Sequence, residues 1–333
     1  MNKTIVDQFK LLVKQIKYDI DFTTGKQQLI NMYRLSSVQK VLKYLEGYPK
    51  KISSSDQLKG IKNIGAKSLI RIDEILKTGK LAEIKITEES EKYLQIISQL
   101  EDIFGIGRKK AYELFKKHDI TSISDLQAKY KKGLIELPDN IIKGLKYVGK
   151  IKENIPRAEI DDLKLILDKT TLEINPKLFG VICGSYRRGN NVSNDVDFVL
   201  VHTNMKTKND TLKHNYLTDF VNALKKKGII VDSLTGDDVP TKYMGIVKIK
   251  KELRRLDIRY VPCESFYSAI LYFTGSRDLN KKMRQLAIDS DYVLNEYGLF
   301  NEKQKMFKVT SEKDIFDLLG MEYLPPEKRN LVQ

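Results

Sequence analysis

The sequence predicts an α+β protein of several folding units, in which helices dominate the first half and strands enter in the second. Apolar residues recur at helical spacing in the first fifty residues, with helices expected near 5–16, 29–33 and 38–45. Runs of β-forming residues follow at 178–183, 195–201 and 256–261. A chain of 333 residues is long enough for two or three units with separate hydrophobic cores.

The chain carries a large excess of positive charge. Its formal net charge is +15 and its pI is about 9.4. This predicts a polyanionic partner, because lysine and arginine neutralise phosphates and release counterions. A lysine-rich surface that arose by compositional drift is the alternative. No stretch reaches the roughly 20 apolar residues of a membrane span and no signal peptide is evident, so we expect an intracellular protein without a membrane partner.

Two similar glycine-containing segments lie about forty residues apart in the helical half, at 58–67 and 100–111. Each has a hydrophobic residue, a short turn that ends in glycine and the start of a helix. This order is typical of a helix–hairpin–helix, whose backbone N–H groups hold a DNA phosphate. A single copy would fit a plain turn between helices, whereas two copies in a basic chain favour DNA binding. The candidate DNA-binding residues are Gly65, Lys67, Gly105, Gly107, Arg108 and Lys109.

The boundary between the two halves is expected at Ile155-Pro156, because proline cannot continue the preceding helix. A helix over 158–174 then leads into the strands. We expect a surface loop at 204–215, where the sequence is polar and unpatterned, and a loose tail at 328–333.

A glycine–serine turn follows the first strand. The run 178–183 stops at Gly184 and Ser185, which leave backbone N–H groups and a hydroxyl exposed, and Arg187 and Arg188 come next. Backbone donors at a helix start beside two guanidinium groups suit an anion such as a triphosphate.

The second strand begins with two carboxylates on one face. Side chains alternate along a strand, so Asp195 and Asp197 point one way while Val196 and Phe198 point the other. Two crowded carboxylates beside a phosphate-binding turn call for a cation between them. Mg²⁺ is the natural candidate, because it takes carboxylate and phosphate oxygens together. A solvated Asp-x-Asp turn is the alternative.

Asp257 supplies a third carboxylate, within the otherwise hydrophobic strand at 256–261. A two-metal phosphoryl-transfer site needs such an acid from elsewhere in the chain. The alternative is that Asp257 only pairs with Arg254 or Arg255 at a sheet edge.

These motifs resemble the palm domain of nucleotidyltransferases, and more narrowly the family X DNA polymerases related to DNA polymerase beta. The segments that carry the resemblance are Gly184-Ser185, Asp195-x-Asp197, Arg254–Arg259, Tyr272–Ser276 followed by Asn280 and Arg284, and Asn295–Tyr297. The resemblance covers nearly the whole chain and implies a multi-domain polymerase. Its implied parts are an all-α N-terminal DNA-end-binding domain of the lyase type at 1–86, a helix–hairpin–helix subdomain at 87–151, a catalytic palm with a mixed β-sheet at 152–262, and a small C-terminal α/β nucleotide-binding subdomain at 263–333.

The activity implied by the resemblance is templated DNA synthesis that fills short gaps in DNA repair, including base excision repair. Asp195, Asp197 and Asp257 are the implied catalytic residues and the ligands of two Mg²⁺ ions, which Mn²⁺ can replace. The implied nucleotide-binding residues are Gly184, Ser185, Arg188, Ser193, Asn194, Tyr272, Phe273, Gly275 and Asn280. The implied DNA-binding residues of this half are Arg255, which would also steady Asp257, and Arg284.

Some positions depart from the family's pattern or allow another interpretation. Asn194 stands where relatives have glycine, and Arg277 where close relatives carry an acid. Tyr272 and Phe273 are alternatively plain core aromatics. In the first hairpin the family has glycine at position 63; asparagine is the next best residue in the left-handed conformation, so we expect Asn63 to preserve the turn.

The resemblance also implies two further sites in the helical half. A monovalent cation, Na⁺ or K⁺, would be held by the backbone carbonyls of Lys59, Ile61, Ile64, Glu101, Ile103 and Ile106. The lyase nucleophile of the family is a lysine that forms a Schiff base, and here the position is Arg71. A guanidinium is not nucleophilic at neutral pH, so we expect weak or absent deoxyribose-phosphate lyase activity unless another lysine substitutes, with Lys67 retained for a 5′-phosphate.

Three functions remain open on the sequence alone: a templated repair polymerase, a template-independent terminal nucleotidyltransferase, and a non-catalytic DNA-end-binding protein. The short linker after Leu234 favours the first over the second, and the three intact carboxylates argue against the third. The expected partners are gapped or nicked double-stranded DNA and deoxynucleoside triphosphates. We expect a monomer that works in the nucleus, or in the cytoplasm if the protein is viral.

Overall fold

The first part of the chain is entirely helical. In the computed structural model, which describes residues 2–151, 153–236 and 240–330, the chain divides into two units at Ile141/Ile142. The helices up to and across that division are α1 (Lys3–Asp21), α2 (Gly25–Gly47), α3 (Ala66–Thr78), α4 (Glu88–Glu101), α5 (Arg108–His118), α6 (Ile123–Lys131) and α7 (Asp139–Tyr147), with a 3₁₀ turn at Ser55–Leu58. The α+β fold class that the sequence predicts is confirmed.

Helices α1 to α3 share one hydrophobic core. Phe9 and Leu12 of α1, Val41 of α2 and Ile72 of α3 are fully buried in it. The prediction of separate helices at 29–33 and 38–45 is wrong, because α2 is continuous through both. No glycine or proline interrupts residues 29–45, so nothing in the backbone ends a helix between them.

The second unit is built on a five-stranded mixed sheet. Its strand order is β2-β4-β7-β6-β5, in which only the β4–β7 pair is parallel. The strands are β1 (Ile155–Pro156), β2 (Leu178–Ile182), β3 (Val192–Ser193), β4 (Val196–His202), β5 (Ile230–Ser233), β6 (Lys242–Ile249), β7 (Glu252–Tyr260), β8 (Val293–Asn295) and β9 (Gly298–Phe300). Strands β1 and β3 pair with each other, as do β8 and β9.

Helices cover both faces of this sheet. The helices of this unit are α8 (Arg157–Ile174), α9 (Gly184–Arg187), α10 (Lys208–Lys213), α11 (Tyr216–Lys226), α12 (Phe266–Thr274), α13 (Arg277–Asp289) and α14 (Glu312–Leu318), of which α8, α11 and α12 pack on the sheet. Phe198 of β4 stacks on Phe220 of α11, with ring centroids 5.5 Å apart. On the opposite face, Val199 and Val201 of β4 pack with Ala269 of α12. Period-two alternation along β4 therefore separates two packing layers.

Two predicted irregular segments are ordered. The expected loop at 204–215 contains α10, which begins with a capping box in which Thr207 and Asp210 bond each other's backbone N–H groups. The expected loose tail contains a 3₁₀ segment at Pro326–Asn330, whose Arg329 is fully buried. The part of that prediction that falls on 331–333 lies outside the described residues. None of the helices in the described part of the chain has both the length and the apolar composition needed to cross a bilayer.

Candidate active site and DNA-binding hairpins

Three aspartates come together where β4 and β7 lie side by side. Asp197 and Asp257 are paired in register in the parallel ladder, so they are direct neighbours on adjacent strands. Asp195 lies immediately before β4. Because side chains alternate along β4, Asp197 is on the α12 side of the sheet, with Val199 and Val201.

The charges of these aspartates act on one another. Burial is the main cause of the raised pKa of Asp197, which reaches about 7, and the negative charges of Asp195 and Asp257 raise it further. Burial also raises the pKa of Asp257, against the opposing effect of Arg255. Carboxylates crowded in this way are stable as anions only beside a cation.

Arg255 of β7 supplies part of that positive charge. Its Nη2 pairs with Oδ2 of Asp195, and its Nε lies 3.6 Å from Oδ1 of Asp257. Both Arg255 Nε and Asp257 Oδ1 are buried without a hydrogen-bond partner in the described chain. No three His, Cys, Asp or Glu side chains among residues 2–151, 153–236 and 240–330 form a ready-made metal cluster. The aspartates are therefore coupled by charge, while Asp195 is held by Arg255.

The turn after β2 brings the backbone against this acidic group. Gly184 has φ +59°, and a Cβ added to it would lie 2.5 Å from Oδ2 of Asp197. The preceding residue, Cys183, donates its backbone N–H to the carbonyl of Asp197 over 2.8 Å. Only glycine allows this approach, since any side chain would displace the carboxylate.

A cavity of about 730 Å³ opens beside the acids. The predicted site residues that line it are Gly184, Ser185, Arg188, Asn194, Asp195, Asp197, Tyr272, Phe273, Gly275, Asn280 and Arg284. Asp257, Arg255 and Ser193 are not part of its lining; Ser193 is buried behind it and accepts a 2.8 Å hydrogen bond from Ser185 Oγ. The lining residues that the sequence analysis did not assign to the site are Asn190, Val192, Thr274, Arg277 and Lys281.

Lys281 was detectable from the sequence. Together with Arg277, Asn280 and Arg284 it follows the i, i+3, i+4, i+7 spacing of one helical face, and α13 presents all four to the cavity. Asn190, Val192 and Thr274 carry no comparable signal, because they reach the cavity separately, from a loop, the two-residue strand β3 and the end of α12.

The two consecutive arginines of the turn have different contacts. Arg187 forms a two-pronged ion pair with Glu312, with nitrogen–oxygen distances of 2.9 and 2.8 Å, and also donates to Thr274 Oγ1. Arg188 lines the cavity and donates from Nη1 to the carbonyl of Thr274 over 2.6 Å. Burial lowers the pKa of Arg188, and the charge of Asp197 opposes that effect.

The aromatic pair at the end of α12 forms another wall. Tyr272 and Phe273 are half-buried and meet edge to face, with ring centroids 5.0 Å apart. The Arg284 guanidinium lies 4.9 Å from the centre of the Tyr272 ring, and Asn280 donates to the Tyr272 carbonyl over 2.7 Å. Tyr272 and Phe273 thus line the cavity, although Phe273 also packs on the core.

The two glycine-containing segments of the helical half have the same backbone conformation. Asn63 and Gly105 both have positive φ, at 71° and 88°, so the expectation for Asn63 is confirmed. Gly65 and Gly107 then cap the following helices with nearly identical dihedrals, φ −92° and ψ 174° against φ −93° and ψ 172°. Each turn therefore directs the free N–H groups of a helix start outward, as an anion site requires.

Equivalent hydrogen bonds close both turns. Ile64 N–H donates to the Ile61 carbonyl over 3.1 Å, and Ile106 N–H donates to the Ile103 carbonyl over 3.0 Å. The residues predicted to hold a monovalent cation lie in or next to these turns: Lys59, Ile61, Ile64, Glu101, Ile103 and Ile106.

The cationic residues beside the turns differ in availability. Lys67 and Lys109 are exposed. Arg108 is instead held by Asp21, to which it donates from Nε over 3.1 Å and from Nη2 over 2.6 Å. A DNA phosphate at the second turn would therefore meet the backbone and Lys109 without displacing an ion pair.

Comparisons with known proteins agree with this architecture. Family profiles match the chain as DNA polymerase beta palm at residues 154–263, DNA polymerase beta thumb at 269–330 and helix-hairpin-helix domain at 2–81. The chain belongs to the family X DNA polymerases. It is 32% identical over 334 residues to DNA polymerase lambda of Arabidopsis thaliana, covering 91% of this chain and 60% of that protein. It is 27% identical over 341 residues to DNA polymerase lambda of Rattus norvegicus, covering 95% and 57%.

The chain thus spans less than two thirds of the length of these curated relatives. The three aspartates and the glycine–serine turn lie within the residues matched as palm. The cavity-lining residues of α12 and α13, at 272–284, form the α12–α13 wall and lie within the residues matched as thumb.

By the resemblance, Arg71 stands at the position of the family's lyase nucleophile. Its guanidinium pairs with both carboxylate oxygens of Glu83, through Nε to Oε1 and through Nη2 to Oε2 over 3.1 Å. Arg34 donates to the same carboxylate over 2.7 Å. These charges lower the pKa of Glu83 despite its partial burial, so Glu83 is an anion at neutral pH. Position 71 is thus occupied by a cation fixed in an ion-pair network.

Proposed function

We propose that this family X chain is a templated DNA polymerase that fills short gaps during DNA repair. The observation that carries the proposal is the in-register pair Asp197 and Asp257, joined by Asp195, beside a cavity lined with anion-binding groups. Its substrates would be deoxynucleoside triphosphates and gapped or nicked duplex DNA, and it would work inside the cell as a monomer.

The aspartates suit divalent cations. The donor set consists of hard carboxylate oxygens, and Asp257 Oδ1 has no hydrogen-bond partner in the described residues. The pKa of Asp197 is raised by burial and, in addition, by the negative charges of Asp195 and Asp257, which a bound cation would offset. We infer that Asp195, Asp197 and Asp257 would hold two Mg²⁺ ions, or Mn²⁺ in their place. When bound, such ions activate the primer 3′-hydroxyl and stabilise the leaving pyrophosphate.

Other residues of the chain would bind and orient the substrates. Ser185 and Arg188, with the backbone near Ser193 and Asn194, would hold the β- and γ-phosphates. Arg255 would hold Asp195 through an ion pair and oppose the burial that raises the pKa of Asp257, because its guanidinium lies close to both carboxylates.

The α12–α13 wall would bind the nucleoside and the template. Tyr272, Phe273 and Gly275 would lie against the sugar, where a ribose 2′-hydroxyl would meet them. Asn280 would reach the incoming base and Arg284 the template strand, because both face the same cavity from α13.

Primer extension on a one-nucleotide gap tests the proposal directly. We expect incorporation of the nucleotide complementary to the template base, faster than extension of a single-stranded primer. Asp257→Asn should reduce the single-turnover rate at least about a thousandfold, since loss of a metal ligand costs several kcal/mol of transition-state stabilisation. Asp162→Asn is the matched control, because Asp162 pairs with Lys250 at the surface and is not part of the cavity lining.

Two outcomes would point to the other candidate functions. Untemplated extension of single strands at the same rate as gap filling would identify a terminal nucleotidyltransferase. DNA-end binding without any incorporation by the wild-type chain would identify a binding protein. The linker between β5 and β6, which bears on template dependence in relatives, includes residues 237–239, outside the described part of the chain.

The helical half would bind the DNA around the gap, with end binding by 1–86 and duplex binding by 87–151. The matched backbones of the two turns support this, since each offers helix-start N–H groups to a phosphate. We also propose that Na⁺ or K⁺ binds the turn carbonyls. Replacing K⁺ by tetramethylammonium at constant ionic strength should weaken binding of gapped DNA if that is so, and leave it unchanged otherwise.

We propose that lyase activity is weak or absent. Arg71 is not a nucleophile, and its ion pair with Glu83 fixes it in place. Borohydride trapping on an incised abasic site should give little covalent adduct. A strong adduct would show that another lysine, for example Lys67, serves as the nucleophile.

A further inference from the structure

The C-terminal segment Pro326–Asn330 is anchored by a buried cation. Arg329 has 0% exposure, and its Nη1 donates to Glu312 Oε1 over 2.8 Å. Its guanidinium also lies 5.6 Å from the ring centre of Phe316 and 5.8 Å from that of Tyr323. A buried charge with this pairing is costly to remove from its place, so the segment has a defined position.

This anchor places the next residue, Asn330, against the glycine–serine turn. Asn330 Oδ1 accepts a 2.7 Å hydrogen bond from Arg188 Nε, and Asn330 Nδ2 donates to the Arg188 carbonyl over 3.3 Å. The same amide donates to Asn190 Oδ1 over 2.8 Å. One side chain therefore binds both the guanidinium and the backbone of Arg188, and Glu327 of the same segment lies beside Gly189.

These contacts leave one edge of the Arg188 guanidinium for a ligand. Nε is taken by Asn330 and Nη1 by the Thr274 carbonyl at 2.6 Å. Within the described chain Nη2 has no protein partner, and Arg188 lines the cavity. Arg187 is no substitute, because its guanidinium is committed to Glu312 and Thr274.

We propose that Asn330 is a positioning residue that holds Arg188 in the orientation needed to bind the triphosphate of the incoming nucleotide. The proposal rests on the proposed function of the cavity. An arginine side chain held at two nitrogens has already lost most of its rotamer freedom, so binding an anion costs less entropy. The C-terminal segment would in this way act on nucleotide affinity without touching the nucleotide.

A double-mutant cycle measured by binding tests this role. The probes are dATP with Mg²⁺ and inorganic triphosphate with Mg²⁺, titrated into the full chain by calorimetry. Asn330→Ala should weaken both roughly five- to tenfold, the effect of losing a charge-assisted hydrogen bond. In an Arg188→Ala background, Asn330→Ala should have no further effect, because a positioning residue acts only through its partner.

The control is Asn301→Ala in the same unit. Like Asn330, Asn301 ties a neighbouring segment through its side-chain amide: its Oδ1 accepts from the backbone N–H groups of Lys303 and Lys305 at 3.1 and 3.0 Å. Asn301 does not line the cavity. This variant should match Asn330→Ala in thermal stability and bind both probes as the wild type does. In gap filling, Asn330→Ala should raise KM for the nucleotide roughly five- to tenfold and change kcat less than twofold.

The outcomes separate this inference from the proposed function. If Asn330→Ala weakened probe binding equally with and without Arg188, or lowered only kcat, the positioning role would be wrong and the proposed polymerase activity would be unaffected. Triphosphate binding that follows the predicted cycle in a chain that incorporates no nucleotide would overturn the polymerase and retain the positioning role. A wild-type chain that binds neither probe would refute both.

Discussion

Replacing Gly184 with alanine should slow catalysis about a hundredfold while leaving the fold nearly intact. Gly184 has φ +59°, and a Cβ there would lie 2.5 Å from Oδ2 of Asp197. Ordinary van der Waals contact begins at 3.4 Å, so the carboxylate must move by roughly 1 Å. Because the obstructing atom is the end of a side chain, the carboxylate can rotate away at small cost in folding free energy.

The two consequences differ in size. The left-handed backbone of an alanine costs about 1–2 kcal/mol of stability. A reacting group displaced by about 1 Å costs on the order of a hundredfold in rate. Gly184→Ala should therefore fold, with a melting temperature lower by a few degrees, and fill a one-nucleotide gap about a hundredfold more slowly in single-turnover assays.

Gly228→Ala is the matched control for backbone strain. Gly228 has φ +70° in the same unit, and a Cβ there meets nothing within 4 Å. It should show the same loss of stability with unchanged gap filling. If Gly184→Ala were as active as Gly228→Ala, the close approach of the turn to Asp197 would have no catalytic significance and the reasoning would be wrong.

Three further predictions concern stability and the lyase position. Gly180→Ala should lower the free energy of unfolding in urea by about 1–3 kcal/mol, because the added Cβ would lie 1.9 Å from the Phe198 ring. An unchanged urea midpoint would contradict the close packing of Gly180 on Phe198. Arg71→Lys alone should give little borohydride-trapped adduct, since Glu83 would keep the new amine protonated. The double variant Arg71→Lys/Glu83→Gln should give clearly more adduct. Equal amounts of adduct from the single and double variants would show that Glu83 has no such effect. Burial lowers the pKa of His202, and the charge of Lys177 adds to the effect. The unfolded chain therefore binds more protons than the folded one, and stability should fall as pH drops through the region of 6.5, the unfolded value. His202→Phe should flatten this pH dependence of the melting temperature; an unchanged dependence would show that other groups cause it.

Much of the catalytic half follows from local sequence rules. Period-two alternation in β4 and β7 is visible in the sequence, and it places Asp197 and Asp257 on strand faces before any tertiary contact is known. The left-handed turn at Asn63 follows equally from residue chemistry. These features depend on residues within a few positions in the chain, so the local sequence is enough to predict them.

The features that the sequence analysis missed depend on distant partners. Arg329 is buried because Glu312 and two aromatic rings receive it, and nothing within its own segment indicates that. The prediction of a loose tail at 328–333 misses this anchor, because the partners of Arg329 lie outside that segment. The prediction that Arg108 binds DNA rests on its place beside the second turn, and that local sequence does not indicate the ion pair with Asp21, which is far away in the chain. Long-range ion pairs of this kind leave no periodic signal.

The parallel junction of β4 and β7 has a mechanical consequence. Both strands are interior to the sheet, with β2 on one side of the pair and β6 on the other. The separation of Asp197 and Asp257 is therefore set by the backbone spacing of about 4.8 Å between neighbouring strands, which hydrogen bonds on both sides maintain. Ions and substrates can change which way the carboxylates turn, but they cannot draw the two strands apart. If the cavity binds a nucleotide as proposed, any adjustment to a larger or mismatched one must therefore come from the opposite wall.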